Sequence, residues 1–99
     1  MNNIDEIRET YPRILELNEI VGLYEIHVEG IPQVLKIKIL KIGAGYMGIA
    51  NLAVRGKDAA SPYRSLHLQN TKMDALRDAI SGFFAFLGEG AEIIEEEDW

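Results

Sequence analysis

The sequence predicts a single α+β domain in which an antiparallel sheet of three or four strands is packed on one face by an N-terminal and a C-terminal helix. Residues 34–42 alternate apolar side chains with lysines, which is typical of a strand with one solvated face. Residues 71–88 repeat apolar side chains every three or four positions, which is typical of an amphipathic helix. The length of 99 residues fits one domain. We expect the element order α-β-β-β-(β)-α over residues 1–88.

The N-terminal helix is expected to begin at Asn3, which is a good N-cap, since apolar residues follow at helical spacing up to Tyr11. Pro12 interrupts this pattern because proline lacks the N–H that a helix interior needs. Residues 13–21 then form either a second helix or a kinked continuation of the first. Gly22 is expected to end the helical region.

Period-two alternation predicts the strands. Residues 24–29 alternate apolar and polar side chains and predict the first strand, and residues 34–42 predict the second. Residues 45–54 contain several small side chains and predict a central third strand that a helix overlies closely. A loop rich in small residues follows, and residues 64–68 predict a short fourth strand.

The C-terminal helix carries the clearest signals of the chain. Thr71 is expected to cap its first turn, and Gly88 is expected to stop it. Apolar residues recur at spacings of three and four positions between them: Met73, Leu76, Ile80, Phe83, Phe84 and Leu87. This apolar face is expected to lie on the sheet, because no other element is large enough to cover it.

Three glycines match the dinucleotide fingerprint Gly-x-Gly-x-x-Gly: Gly43, Gly45 and Gly48. That fingerprint needs a fully buried parallel strand before the glycines and a helix after them. The preceding residues alternate with lysines instead. We therefore predict a hairpin turn at residues 43–45 and a bulge or close backbone approach at Gly48. Dinucleotide or nucleotide binding at this turn stays as the second alternative, and no cofactor is expected.

Composition narrows the class of protein. The chain has no cysteine, which excludes disulfides, a thiol nucleophile and a cysteine-based zinc site. Neither histidine has a metal-ligand spacing to the other, so no metal is expected. The N-terminus does not resemble a signal peptide, and the apolar stretches are too short to span a membrane. We expect a cytoplasmic protein that does not contact membranes.

The net charge of −6 is unevenly distributed. Residues 1–29 hold two basic and seven acidic side chains, residues 30–72 hold seven basic and one acidic, and residues 89–99 hold six acidic and no basic ones. The basic segment favours a surface for a polyanion, so nucleic-acid binding is the first alternative function. The candidate residues for it are Lys36, Lys38, Arg55, Lys57, Tyr63, Arg64 and Lys72.

Lys72 belongs to the six-residue run Thr71-Lys72-Met73-Asp74-Ala75-Leu76. The order of elements resembles that of double-stranded RNA-binding domains, which open their last helix with Ser-Lys-Lys-x-Ala-Lys. The resemblance implies phosphate contacts from these lysines. This chain keeps one lysine and the alanine of that motif and lacks the other two lysines, so the resemblance implies one of three phosphate contacts.

Residues 89–99 form an acidic C-terminal tail that is expected to be flexible, because charge-rich segments cannot bury enough apolar surface to fold alone. Ile93 and Ile94 leave an edge strand as the alternative. Trp99 is the candidate residue for docking a partner, with the carboxylates steering it to a basic surface. That surface can belong to residues 30–72 of the same chain. The tip is similar to the acidic, aromatic-ended tips of bacterial single-stranded DNA-binding proteins.

Catalytic constellations are missing from the sequence. His27 and His67 lie far apart, and Ser61 and Ser65 lack the surroundings of a nucleophile elbow. We predict no enzyme activity. The expected function is that of a small binding or regulatory module that contacts another protein or a second copy of itself.

Overall fold

The computed structural model describes residues 3–57 and 67–99. Two antiparallel sheets and two helices make up this part of the chain, which confirms the predicted α+β class. The elements, in chain order, are α1 (Asn3–Thr10), β1 (Glu19–Ile26), β2 (Leu35–Ile42), β3 (Gly45–Ala50), β4 (Leu52–Arg55), α2 (Lys72–Ala85) and β5 (Glu92–Glu95).

Strand β2 is the centre of a three-stranded sheet with the order β1-β2-β3. Its alternating sequence places Leu35, Ile37 and Ile39 on one face, where all three are fully buried. Lys36 and Lys38 point to the other face. The alternation seen in the sequence therefore reports one covered and one open face, as predicted.

Helix α2 covers the buried face of this sheet. The Thr71 hydroxyl accepts a hydrogen bond from the Asp74 N–H at 3.0 Å, so Thr71 is the predicted N-cap. Ala75 and Ala79 face Gly48 of β3, where a Cβ would lie 2.7 Å from the Ala75 carbonyl oxygen. Small side chains on both elements thus permit the close approach of helix and strand that the sequence indicated.

The glycine-rich segment forms a hairpin. Gly43 adopts a φ of 60°, a left-handed conformation that glycine tolerates without strain, between the paired strands β2 and β3. Gly45 and Gly48 lie within strand β3. A dinucleotide fingerprint requires a helix at this point. The strand found there supplies no helix N-terminus for a pyrophosphate.

The region before β1 differs from the prediction. Residues 13–21 do not form a helix; β1 already begins at Glu19, and Gly22 lies inside it next to a register shift. Glu19 and Ile20 pair with the end of β2, so the backbone finds its hydrogen-bond partners across the sheet. Tertiary pairing of β-branched residues overrides the weak helical periodicity of this segment.

The predicted third strand is divided in two. Residues 45–54 form β3 and β4, separated at Asn51, and β4 belongs to a second sheet with β5. The Asn51 side chain accepts a hydrogen bond from the Lys36 N–H at 2.6 Å and donates one to the Val34 carbonyl at 3.1 Å. Asn51 therefore binds the start of β2 at the point where the chain passes from β3 in the first sheet to β4 in the second.

The predicted fourth strand, residues 64–68, lies mostly outside the described residues. Next to it, Gln69 forms an isolated antiparallel bridge with Tyr46 of β3, with hydrogen bonds of 2.9 and 2.7 Å between their backbones. This bridge satisfies part of the outer edge of β3.

The C-terminal segment contributes strand β5, the edge strand that Ile93 and Ile94 allowed. Strand β5 pairs antiparallel with β4 through Ala53 opposite Ile94 and Val54 opposite Ile93. Ile93 packs against the core, while the flanking glutamates stay exposed. Residues 92–95 of this acidic segment thus have backbone and apolar partners within the chain. The flexibility of the segment in solution stays a prediction.

Helix α1 lies apart from the core that the described residues form. Its Ile7 and the following Tyr11 are 43% and 61% exposed. The molecule measures 50 × 26 × 21 Å, with a radius of gyration of 15.5 Å. A compact domain of this length has a radius of gyration of about 13 Å. The molecule is therefore elongated. We call α1 together with residues 11–18 the N-terminal arm.

Candidate interaction surface

The face of the three-stranded sheet opposite α2 lacks a covering helix within the described residues. The strand register defines its members, because cross-strand neighbours share a face: Leu23 and Ile49 flank Lys38, and Ile20 and Met47 flank Leu40. We call this surface the open face. It comprises Ile20, Leu23, Glu25, Lys36, Lys38, Leu40, Ile42, Met47 and Ile49.

Apolar side chains dominate the open face. Ile20, Leu23 and Ile42 are 56%, 65% and 39% exposed. Leu40 is buried between Ile20 and Met47, so the exposed side chains surround an apolar centre. A contiguous apolar patch on a sheet is typical of a binding surface, whereas single exposed apolar residues are ordinary.

Two lysines of the central strand β2 lie among the apolar residues of the open face. Lys36 lies opposite Glu25 of β1, whereas Lys38 lies opposite Leu23. Both side chains are half-buried, so their alkyl stems cover apolar surface while the ammonium groups reach water. The open face therefore joins an apolar centre to positive charge.

Trp99 lies against this surface instead of extending into solvent. Its indole N–H donates a hydrogen bond to the Ile49 carbonyl oxygen at 2.7 Å, and the Lys38 Nζ lies 5.1 Å from the centroid of its ring. A cation at this distance from an aromatic face is attracted to it. The candidate docking residue is thus bound by the basic segment of its own chain.

The acidic segment contacts two further candidate cations. Arg55 forms an ion pair with Glu92, its partner across β4 and β5. The Lys57 side chain packs against Gly90, where a Cβ would lie 3.1 Å from its methylene carbons. The charge of Arg55 is therefore paired within the chain, whereas the contact of Lys57 with the acidic segment involves its methylene carbons.

The remaining candidate residues do not join one cluster. Lys72 is the first residue of α2, on the other side of the sheet from Lys36 and Lys38. Tyr63 and Arg64 lie outside the described residues. Among the nucleic-acid candidates, the described part of the chain therefore brings only Lys36 and Lys38 together on one face.

Clusters of potential metal ligands are absent from residues 3–57 and 67–99. No group of three His, Asp or Glu side chains in this part of the chain is arranged to hold a metal ion. His67 lies 4.0 Å from Asp78 and is largely exposed, and His27 is exposed just beyond β1. Ser61 and Ser65 fall outside the described residues.

Sequence reasoning missed Ile20 and Leu23 as surface residues because it assigned residue 20 to a helix. The alternation of Leu23 with Tyr24 is a local signal that identifies Leu23. It does not identify Ile20, because the register shift between Ile20 and Gly22 moves Ile20 to the face opposite to the one that alternation predicts. Asn51 was also missed. Its role depends on hydrogen bonds to residues 15 and 17 positions earlier, which local patterns do not reveal.

No protein-family model, curated protein or solved structure matches this chain. Neither helix within the described ranges has the length and apolar character needed to cross a bilayer. The function is therefore inferred from the surfaces of the molecule itself.

Proposed function

We propose that this protein is a non-catalytic interaction module that associates with a second copy of itself through the open face. The observation that carries the proposal is the exposure of Ile20, Leu23 and Ile42 on one regular sheet face. The opposite face of the same sheet is covered by α2. A sheet with apolar residues on both faces is ordinarily covered on both, so a partner completes the layer.

The free energy of such association comes from apolar burial. Removing a large aliphatic side chain from water stabilises a complex by about 1.5–3 kcal/mol. Several such residues on one face are sufficient for specific binding once the cost of immobilising the partners is offset. The lysines of the open face contribute more to the orientation and rate of association than to affinity.

Sedimentation velocity over a concentration series tests this proposal. The wild-type chain is expected to form dimers with rising concentration. Leu23→Lys replaces an apolar side chain of the open face that is 65% exposed by a charge, and is expected to weaken the dimer about tenfold or more. Met73→Lys is the matched control, because Met73 is 50% exposed on α2, outside the open face.

A wild-type chain that stays monomeric at every concentration would contradict self-association. Equal weakening by Leu23→Lys and Met73→Lys would place the interface on a surface other than the open face. Circular dichroism of both variants checks that each retains the fold.

Nucleic-acid binding is the second candidate function, which the proximity of the Trp99 ring to Lys38 favours. A flat ring beside a cation is the combination that single-stranded nucleic acids bind, through stacking and phosphate contact. Trp99 is the only tryptophan of the chain, so its fluorescence reports on this surface directly. Quenching by a short single-stranded DNA that disappears at high salt supports this candidate; unchanged fluorescence excludes it.

A further inference from the structure

Helix α1 is an amphipathic element whose exposed apolar side chains lie outside the core. Ile7 and Tyr11, four positions apart, lie on one side of the helix and its C-terminal extension, and both are exposed. Asp5 and Glu9, also four positions apart, lie on the opposite side. Such a helix is typical of an element that packs its apolar side on another surface.

We propose that α1 docks its apolar side onto the open face of a second copy of this chain, in a reciprocal exchange of N-terminal arms. The inference rests on the proposed self-association and names the segment that occupies the open face. The second copy docks its own α1 in the same way, which gives a closed dimer with two equivalent contacts.

The two surfaces complement each other in shape and polarity. The open face is a sheet surface with an apolar centre that lacks a helix, and α1 is a helix that lacks a sheet. Helix α2 already shows how this sheet accepts a helix on its other face. Docking of α1 gives the sheet a helix on each face, which is a standard layered arrangement.

The two surfaces also complement each other in charge. The open face carries two lysines, Lys36 and Lys38, and one carboxylate, Glu25, whereas α1 carries three carboxylates and one arginine. The helix is therefore negative and the open face positive, although the carboxylates of α1 lie away from its apolar side. Opposite net charges steer the helix toward the sheet at long range.

The shape of the chain favours exchange over docking on its own sheet. Helix α1 supplies no residue to the core that the described residues form, and Pro12 lies where α1 passes into the segment that leads to β1. A turn at residues 12 and 13, closed by a 3.0 Å hydrogen bond from the Ile14 N–H to the Tyr11 carbonyl oxygen, redirects the chain here and leaves α1 outside the core of its own chain. An arm that projects from its own sheet is positioned to reach another copy, as in domain-swapped dimers.

Site-directed cross-linking tests the exchange. Because the chain has no cysteine, a thiol-specific reagent reacts only with cysteines that are introduced. Ile7→Cys and Leu23→Cys are prepared as separate full-length variants, one with a size tag, and are mixed before a short bismaleimide is added. We expect a covalent dimer that contains one chain of each variant. Met73→Cys in place of Leu23→Cys is the matched control and is expected to give no such dimer.

The possible results separate the inference from the proposed function. Association of the wild-type chain without the mixed cross-link overturns the role of α1 and leaves self-association intact. A chain that is monomeric throughout overturns both. In the double variant Ile7→Cys/Leu23→Cys, a cross-link within a monomer shows that α1 folds onto its own sheet, which also overturns the exchange.

A second measurement quantifies the contact. Ile7→Lys introduces a charge at an exposed position, so the fold is expected to persist. Each dimer contains two docked helices, and the loss of one isoleucine contact weakens binding about tenfold. We therefore expect the dissociation constant of the dimer to rise about 100-fold. An unchanged dissociation constant would overturn the exchange.

Discussion

Single residues fix the points where this fold departs from regular structure. At the junction of β3 and β4, the Asn51 side chain hydrogen-bonds to two backbone groups, the Lys36 N–H and the Val34 carbonyl oxygen. Its own backbone carbonyl accepts a hydrogen bond from the Glu96 N–H at 2.8 Å. One residue thus connects β2, β4 and the C-terminal segment.

Asn51→Ala is expected to lower the free energy of unfolding by about 1–3 kcal/mol, because backbone groups of Lys36 and Val34 lose their partners in a partly buried site. Urea denaturation followed by circular dichroism measures the change. Asn51→Asp is the informative control: it keeps an acceptor for the Lys36 N–H but cannot donate to the Val34 carbonyl. A fully stable Asn51→Ala variant would contradict this role.

Gly48→Ala is expected to destabilise the fold by about 1–3 kcal/mol through overpacking. The new Cβ would lie 2.7 Å from the Ala75 carbonyl oxygen and 3.0 Å from the Ala79 Cβ, so helix α2 must shift. The control is Gly56→Ala, because no atom lies within 4 Å of a Cβ at that position. Comparable thermal unfolding curves for the two variants would show that the helix is not held this closely.

Elements acquire their roles from partners distant in sequence. Strand β5 is acidic and carries only two isoleucines, yet it pairs with β4, whose Leu52, Ala53 and Val54 are buried. The segment then ends with Trp99 on the open face. The C-terminal residues therefore connect the two sheets of the molecule.

Trp99→Ala loses both the hydrogen bond to Ile49 and the contact with Lys38, so we expect it to lower the free energy of unfolding by about 1–2 kcal/mol. Trp99→Phe keeps an aromatic ring beside Lys38 and loses only the N–H donor, so we expect its free energy of unfolding to lie between those of the wild-type chain and Trp99→Ala. Chemical denaturation of the wild-type chain and both variants measures these free energies. Identical values would indicate that the tip is not bound in solution.

At the scale of the whole molecule, association through apolar contacts and association through charges depend differently on salt concentration. Association through the open face depends mainly on apolar contact, which salt screens little. We expect the dissociation constant of the dimer to change less than about tenfold between roughly 0.05 and 0.5 M salt. Sedimentation at several ionic strengths measures it. A loss of affinity as steep as that of polyanion complexes would show that charge holds the assembly together.

Much of the fold was predictable because its signals are local. The N-cap at Thr71, the apolar repeat of α2 and the alternation of β2 each follow from side chains a few positions apart. The turn at Gly43 follows from the conformational freedom of glycine. The lysines of the open face were predictable for the same reason, since alternation assigns Lys36 and Lys38 to the solvated face.

The remainder of the surface was not predictable in this way. Ile20 belongs to β1 only because the end of β2 is available to pair with it, and the apolar open face exists only because β1, β2 and β3 lie in this register. The position of Trp99 likewise depends on contacts with residues far away in sequence. Local periodicity contains no information on such pairings.

The sequence by itself determined the α+β class, the N-cap at Thr71, the turn at Gly43 and the placement of Lys36 and Lys38 on the solvated face of β2, because short-range sterics and hydrogen bonding set these features. The end of α2 was predicted at Gly88 and lies at Ala85, with Phe86 as its C-cap. The tertiary structure decided where β1 begins, where β3 gives way to β4, and which surface Trp99 contacts. It also decided that α1 stays outside the core. These outcomes depend on long-range pairing, whose free energy arises only when distant segments meet.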